Sequence, residues 1–195
     1  MKRAFDLLLS VLVLLPLIPL LLFIGIAVIL DNPGPVFYRQ VRVGKNASPF
    51  RILKFRTMYR NSDRKGLLTV GGRDPRVTRV GYWLRKYKLD ELPQLFNVLE
   101  GSMSLVGPRP EVEKYVALYD DNQRRVLEVK PGITDYASIQ YSDENELLAK
   151  ADDPERMYIE EVMPAKLKLN LDYIRDQGML TDLKILMQTA LKILR

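Results

Sequence analysis

The longest hydrophobic stretch of the chain lies near its N-terminal end, and every later apolar segment is shorter and interrupted by polar residues. Residues Leu7 to Leu30 are nearly all apolar. As a helix, this stretch would extend about 36 Å, enough to cross the roughly 30 Å hydrocarbon layer of a bilayer. Pro16 and Pro19 interrupt it, and each lacks an N–H donor and disfavours helical geometry in the residue before it. The pattern therefore predicts a membrane helix that breaks near its middle.

Three placements of this stretch compete. A cleaved signal peptide would fit Lys2 and Arg3 ahead of the apolar residues, but no Ala-x-Ala-like site follows. A straight span would separate Lys2 and Arg3 from the many basic residues that follow Gly34, against the positive-inside rule. A hairpin that enters one leaflet and returns keeps both basic flanks on the cytoplasmic side. We favour this re-entrant arrangement over a kinked span.

The residues after the Pro-Gly-rich turn at 31–35 carry short strand and helix patterns. Val36–Val41 and Phe50–Phe55 predict a β-hairpin, and residues 60–76 predict a polar loop. Helices are predicted from about Thr78, over Glu111–Glu128, in the acidic surface segment Asp143–Glu161, over Ala165–Arg175 and over Thr181–Leu194. The last two are amphipathic, which fits either a membrane surface or ordinary core packing.

These elements predict an α+β fold that is mainly helical. Residues 1–32 would form a re-entrant helix-break-helix in the membrane. Residues 33–195 would form a small cytoplasmic, membrane-associated catalytic domain with a short β-hairpin and surface amphipathic helices.

The amino-acid composition limits which metal ions the chain can bind and which side chains can be catalytic. The chain has no Cys and no His, which excludes a disulfide framework and removes the usual ligands of zinc and copper. Any metal should therefore be a hard cation held by oxygen. The usual general base and the most nucleophilic side chain are also absent, so carboxylates are the first candidates for catalysis.

Basic residues are concentrated in one quarter of the chain. Lys and Arg total 30 against 24 Asp and Glu, for a net charge of +6. Half of the basic residues lie between Arg39 and Lys88. Few aromatic residues are interleaved with them, so anionic lipid headgroups and phosphorylated substrates are expected partners, and nucleic acid is not. The cluster consists of Arg39, Arg42, Lys45, Arg51, Lys54, Arg56, Arg60, Arg64, Lys65, Arg73, Arg76, Arg79, Arg85, Lys86 and Lys88.

Two adjacent carboxylates, Asp90 and Glu91, follow this cluster and precede Pro93 at a predicted helix start. Free N–H groups at a helix N-terminus would hold both carboxylates ionised. Of two ionised carboxylates, one could act as a nucleophile and the other could bind a metal ion. The alternative is ordinary helix capping. Further on, Arg109 lies between Pro108 and Pro110, a rigid setting that suits bidentate phosphate binding, although a surface salt bridge would also explain it.

The motifs occur in an order that resembles a known family over essentially the whole chain. They are Lys2–Asp6, Pro33–Gln40, Lys54–Met58, Leu89–Gln94, Gly107–Pro110, Lys130–Thr134 and Asp182–Lys184. The chain resembles the monotopic phosphoglycosyl transferases, a bacterial sugar transferase family that begins glycan assembly.

This resemblance implies a two-step reaction at the cytoplasmic face of the bacterial inner membrane. Asp90 would attack the β-phosphorus of a UDP-sugar, releasing UMP, and polyprenyl phosphate would then accept the sugar phosphate. Glu91, with Asp90, would hold Mg²⁺. Supporting roles would fall to Lys54 and Arg56 near the site, to Arg85 and Arg109 on phosphates, and to Asp182 as a further acidic residue.

Two other hypotheses remain open. A basic membrane-anchored adaptor without catalysis would explain the apolar stretch and the charge cluster, but it leaves Asp90, Glu91 and Arg109 without a purpose. The second hypothesis is an enzyme with a single membrane-spanning helix and an active site on the outer side of the membrane. A second copy of the chain is a candidate partner, and the sugar is not identified by the sequence.

Overall fold

A computed structural model of the chain describes residues 1–60, 62, 66, 68–71 and 74–193. Most of the basic cluster falls within these ranges. Arg64, Lys65 and Arg73 of that cluster lie outside the described residues, as do Leu194 and Arg195 at the C-terminal end.

The N-terminal apolar stretch forms helix α1 (Lys2–Asp31), which continues through both prolines. The predicted break near Pro16 and Pro19 is therefore not seen as an interruption of the helix. Each proline removes one backbone hydrogen bond, and the remaining bonds of adjacent turns continue past it. Re-entry into a membrane stays a prediction.

One face of α1 packs against the rest of the protein along most of its length. Only 17% of its most apolar 18-residue window is buried, much less than a core helix of a soluble protein would show. The buried face comprises Asp6, Ser10, Leu14, Ile24, Gly25 and Val28, whereas Leu8, Leu12, Leu22, Phe23 and Leu30 are each at least 65% exposed. An apolar face this extensive is suited to contact with lipid.

Both ends of α1 are attached to the same folded body. At the N-terminal end, Lys2 Nζ donates hydrogen bonds to Asp182 Oδ2 at 2.5 Å and to the Val106 carbonyl at 3.1 Å. At the other end, the Asp31 carboxylate accepts one from the Val80 N–H at 2.9 Å. Both ends of the helix are therefore held by side-chain contacts with the rest of the protein.

The predicted β-hairpin and the following helix are confirmed. Strands β1 (Phe37–Val43) and β2 (Pro49–Phe55) pair antiparallel, with Phe37 opposite Phe55. Helix α2 (Arg79–Lys86) begins after Thr78, whose hydroxyl accepts a hydrogen bond from the Gly81 N–H. An added Cβ at Gly81 would lie 2.1 Å from the Thr57 carbonyl oxygen, so the absent side chain lets α2 approach the end of β2 closely.

The second sheet was not predicted. Helix α3 (Gln94–Glu100) follows Pro93 as expected and leads to β3 (Ser104–Val106), which pairs in parallel with β4 (Gly132–Thr134). Each strand has three residues. A segment that short carries too few positions to show an alternating pattern.

Residues 111–128 do not form the continuous helix that the sequence predicts. They form α4 (Glu113–Val116), α5 (Asp121–Arg124) and a 3₁₀ turn (Arg125–Glu128). The cause is Asp120, which forms a capping box with Gln123 and so starts a new helix inside the predicted one.

The segment Asp143–Glu161 is also more divided and more buried than predicted. After α6 (Tyr136–Gln140) come α7 (Glu144–Leu148), α8 (Pro154–Met157) and a π-helical turn (Tyr158–Val162). Leu148 and Tyr158 belong to the main core, which corrects the expectation of a surface segment.

The chain continues with α9 (Met163–Arg175) and α10 (Met179–Ile193), close to the predicted bounds. Core packing explains part of their amphipathic pattern, and contact with a membrane surface stays a prediction. Tyr173 and Ile185 are buried against β3 and α3, whereas Leu180, Leu183, Met187 and Leu191 of α10 remain exposed.

Candidate active site

Asp90 and Glu91 lie in a 3₁₀ turn (Leu89–Glu91) between α2 and α3. Lys88 precedes the turn with a left-handed φ of 56°, which redirects the chain after α2. Asp90 is only 8% exposed. The local fold therefore brings two adjacent carboxylates into the interior, where their charges need partners.

Glu91 has two cationic partners. Lys54 Nζ of β2 donates to Glu91 Oε1 at 2.8 Å, and Arg109 Nη1 donates to Glu91 Oε2 at 3.0 Å. Arg109 Nη2 also binds Oε1, so the pair is bidentate. Burial alone would raise the pKa of Glu91, but the charges of Arg109 and Lys54 hold that pKa well below its ordinary value. Glu91 is thus a fixed anion.

Asp90 has a different environment from its neighbour. Within the described ranges, no hydrogen bond to its carboxylate is found. Burial, and then the charge of Glu91, raise the pKa of Asp90, while Lys54 and Arg85 oppose the shift. Burial is therefore the largest influence on the pKa of Asp90, whereas the two cations decide the direction of the shift at Glu91. Of the two carboxylates, Asp90 is the one without a hydrogen-bonded cation among the described residues.

Two further cations face the pair. Burial, then Arg109, lower the pKa of Lys54, and Glu91 opposes that shift. Arg85, at the end of α2, donates to the Thr69 hydroxyl at 2.8 Å. Burial lowers the pKa of Arg85, and the charge of Asp90 counteracts this. The structure therefore places Lys54, Arg85 and Arg109 around the two carboxylates, and their binding of substrate phosphates stays a prediction.

Arg56 and Asp182 make their contacts elsewhere. Arg56 binds the carbonyl oxygens of Asn32 and Pro33, just beyond α1. Asp182 binds Lys2 and accepts a hydrogen bond from the Tyr173 hydroxyl at 2.7 Å. In this structure both residues fasten the ends of α1, and neither contacts the carboxylate pair.

The position of Arg109 depends on close backbone packing between β3 and β4. An added Cβ at Gly132 would lie 2.1 Å from the backbone nitrogen of Gly107, so neither strand end has room for a side chain there. Asp135 then accepts a hydrogen bond from the Arg109 N–H at 3.1 Å. Sequence reasoning missed Asp135, although an Asp just before the helical residues 136–140 is a recognisable capping signal.

The carboxylates could take part in a metal site only together with other ligands. In the part of the chain that the structure describes, no group of three or more acidic side chains is placed to hold an ion. Mg²⁺ commonly binds one or two protein carboxylates and completes its shell with water and substrate phosphates. Asp90 and Glu91 offer oxygen donors of that kind.

The sequence is similar to known proteins along its whole length. The model of the family described as bacterial sugar transferase matches residues 1–195. The chain is 43% identical over 195 residues to an undecaprenyl-phosphate glucose phosphotransferase of Komagataeibacter xylinus, with 96% of this chain and 35% of the relative covered. It is 38% identical over 198 residues to the UDP-N-acetylgalactosamine-undecaprenyl-phosphate N-acetylgalactosaminephosphotransferase of Aeromonas hydrophila, covering 99% of this chain and 43% of that protein.

A third relative is similar in length. The uncharacterized sugar transferase EpsL of Bacillus subtilis is 39% identical, and the match covers 100% of this chain and 87% of the relative. By contrast, the match spans only 35% and 40% of the two relatives from K. xylinus and Escherichia coli. The family match runs the full length of this sequence, and the chain belongs to the bacterial sugar transferase family.

Proposed function

We propose that this protein transfers a sugar 1-phosphate from a UDP-sugar to undecaprenyl phosphate. The observation that carries the proposal is the unequal carboxylate pair. Glu91 is held by Lys54 and Arg109, whereas Asp90 is buried beside it with its carboxylate oxygens free of hydrogen bonds from the described residues. Relatives whose names include UDP-glucose or UDP-N-acetylgalactosamine and undecaprenyl phosphate support the substrate class.

The first step uses Asp90 as the nucleophile. A carboxylate oxygen attacks the β-phosphorus of the UDP-sugar, the bond from that phosphorus to the bridging oxygen breaks, and UMP leaves with the electron pair. An aspartyl-phosphosugar remains. In the second step, a phosphate oxygen of undecaprenyl phosphate attacks the same phosphorus, and the Asp90 carboxylate is regenerated.

The surrounding cations stabilise the charge that this displacement carries. Lys54, Arg85 and Arg109 come from three separate parts of the chain and converge on the carboxylates, so their positions are set before the substrate binds. Fixed positive charge in a site shielded from water lowers the energy of a phosphoryl transition state.

Mg²⁺ belongs to this proposal as a cofactor. Glu91, with Asp90 beside it, would hold the ion, since Glu91 Oε2 accepts a hydrogen bond from only Arg109 among the described residues. When bound, Mg²⁺ would neutralise charge on the diphosphate. Because no third acidic ligand is near in the described ranges, substrate oxygens and water would complete its shell.

We further propose that α1 bends near Pro16 and Pro19 without losing its helical continuity, so that it enters the cytoplasmic leaflet of the bacterial inner membrane and returns. The exposed apolar face of α1 favours lipid, and the attachment of both Lys2 and Asp31 to one body argues against a crossing helix. The site would then face the cytoplasm, where UDP-sugars are made, and membrane lipids would be a constant partner. A homodimer stays a candidate assembly.

Release of UMP tests the function directly. Purified protein in detergent or lipid nanodiscs is mixed with Mg²⁺, undecaprenyl phosphate and one UDP-sugar from a panel. Turnover with at least one UDP-sugar is expected, and mass spectrometry of protein incubated without undecaprenyl phosphate should find the added sugar phosphate on the peptide containing Asp90.

The matched variant is Asp90→Asn, which keeps the size of the side chain and removes the nucleophile. Loss of turnover by about a thousandfold or more is expected. Undiminished turnover in Asp90→Asn would exclude the mechanism, and binding to membranes without turnover on any UDP-sugar would favour the adaptor hypothesis.

A further inference from the structure

A cavity of about 160 Å³ opens beside Arg109. Side chains of β1, α4, α7 and α9 contribute to its wall, and Thr69, which binds Arg85, forms part of its rim. Arg109 therefore lines the cavity, and Arg85 binds one of the lining residues, Thr69. A group attached to a phosphate that is bound by Arg109 can therefore enter the cavity.

The charges in the wall neutralise one another. Arg42 Nη1 binds Glu111 Oε1 at 2.8 Å, and Lys166 Nζ binds Glu144 Oε2 at 2.5 Å. Arg109 is already paired with Glu91 outside the cavity. A second phosphate would have to break one of these pairs, whereas a neutral group rich in hydroxyls would add hydrogen bonds to them. The wall is therefore suited to an uncharged polar ligand.

One buried polar group in the wall lacks a partner. Asn170 of α9 is only 5% exposed, and its Oδ1 accepts no hydrogen bond from the residues that the structure describes. Such an acceptor is costly to keep in a folded interior, and its retention next to a cavity is typical of a binding contact. A ligand that donates an O–H or N–H to Asn170 would satisfy it.

The size of the cavity indicates how much of the substrate enters. Sites that enclose a whole drug-sized ligand measure roughly 300–1,000 Å³. At about 160 Å³, this cavity suits one ring of a larger molecule. Tyr115, Tyr119 and Tyr158 contribute aromatic surface to the wall, which suits the apolar face of a pyranose ring.

Building on the proposed function, we propose that this cavity receives the sugar ring of the UDP-sugar, and that Asn170 accepts a hydrogen bond from a sugar hydroxyl or acetamido group. Asn170 is then a residue that determines sugar specificity. The uridine would lie outside the cavity, on the other side of the diphosphate.

The test compares Asn170→Leu with the wild-type protein in nanodiscs. Two quantities are measured: kcat/KM for each of four UDP-sugars (glucose, galactose, N-acetylglucosamine and N-acetylgalactosamine), and the inhibition constant of UDP, which lacks the sugar that is transferred. We expect kcat/KM for the preferred UDP-sugar to fall by about tenfold or more, with less loss for the others, while the inhibition constant of UDP is unchanged.

Thermal unfolding separates a binding role from a structural one. Leu removes an unpartnered polar group, so Asn170→Leu should unfold at the wild-type temperature or above it. Asn170→Ala serves as the second variant if Leu prevents folding, and Asn122→Ala, on an exposed helix, serves as the control with unchanged kinetics.

Equal kcat/KM values in Asn170→Leu and wild type would overturn the inference. So would a parallel weakening of UDP inhibition, because it would assign the cavity to the nucleoside. Absence of turnover in the wild-type protein with every UDP-sugar would instead contradict the proposed function, and the inference with it.

Discussion

Arg109 donates hydrogen bonds from both of its terminal nitrogens to the two oxygens of Glu91, the neighbour of the proposed nucleophile. A lysine at this position would keep the charge but lose the two-point geometry. We expect Arg109→Lys to lower kcat by about 10- to 100-fold in the UMP-release assay, since Glu91 would no longer be fixed.

Arg109→Ala should also lower stability. Removing one member of a fully buried pair costs about 3–5 kcal/mol, and the partial exposure of Arg109 reduces the expected cost to about 1–3 kcal/mol. Denaturant unfolding measures this loss. The matched control is Arg156→Ala, whose partner Glu160 is exposed, and it should change the free energy of unfolding by less than about 0.5 kcal/mol. Equal losses in the two variants would contradict the prediction.

The acid limb of the pH profile should follow the charge on Asp90. Burial and the charge of Glu91 raise the pKa of Asp90, and Asp90 must be ionised to attack. Activity should therefore be lost at a higher pH than an ordinary Asp, with a pKa of about 3.9, would give. Lys54 opposes the rise, so Lys54→Met should raise the pKa of Asp90 further and move the acid limb of kcat/KM to higher pH.

The control for that shift is Lys168→Met, because Lys168 lies exposed on α9. It should leave the acid limb where it is in the wild-type protein. A limb that stays fixed or moves to lower pH in Lys54→Met would show that another group titrates.

Gly132 should be sensitive to the smallest substitution. An Ala Cβ there would lie 2.1 Å from the backbone nitrogen of Gly107, and neither atom can move without separating β3 from β4. We expect Gly132→Ala to cost about 1–3 kcal/mol in thermal or denaturant unfolding and to lower kcat by displacing Arg109. Gly178→Ala is the control, since an added Cβ there meets nothing within 4 Å. Equal free energies of unfolding for Gly132→Ala and Gly178→Ala would contradict the close packing of Gly132 against Gly107.

The absence of cysteine allows a direct test of how α1 lies in a membrane. Ala4→Cys places a thiol near the start of α1 and Lys45→Cys places one in the turn between β1 and β2, both at exposed positions. In sealed inverted vesicles, a membrane-impermeant maleimide should label both thiols to the same extent. Labelling of one thiol before detergent and of the other only after it would establish a crossing helix.

Local signals in the sequence were sufficient for the elements that depend on neighbouring residues. The strand Pro49–Phe55 follows from its apolar residues, and the start of α2 near Thr78 follows from the helical spacing of the apolar residues after it. A local signal can also be masked by its surroundings. The capping box at Asp120 starts a new helix inside the predicted helix Glu111–Glu128, but the apolar pattern continues past Asp120 and so predicts a single helix.

Contacts between distant residues could not be read from the sequence. Lys2 and Asp182 are 180 positions apart, and nothing at either position identifies the other as its partner. The same holds for Arg109 and Glu91: each was singled out, but as a phosphate ligand and a metal ligand, and their pairing with each other was not foreseen. The resemblance to a family supplied the residues, and the structure supplied their geometry.

The attachment of α1 at Lys2 and at Asp31 has a consequence for how the acceptor is met. If α1 lies in lipid as proposed, these two attachments would hold the carboxylate pair at a constant height relative to that lipid. A phosphate carried on a lipid tail also keeps a constant height. The search of one for the other is then confined to two dimensions, and lateral diffusion alone brings them together.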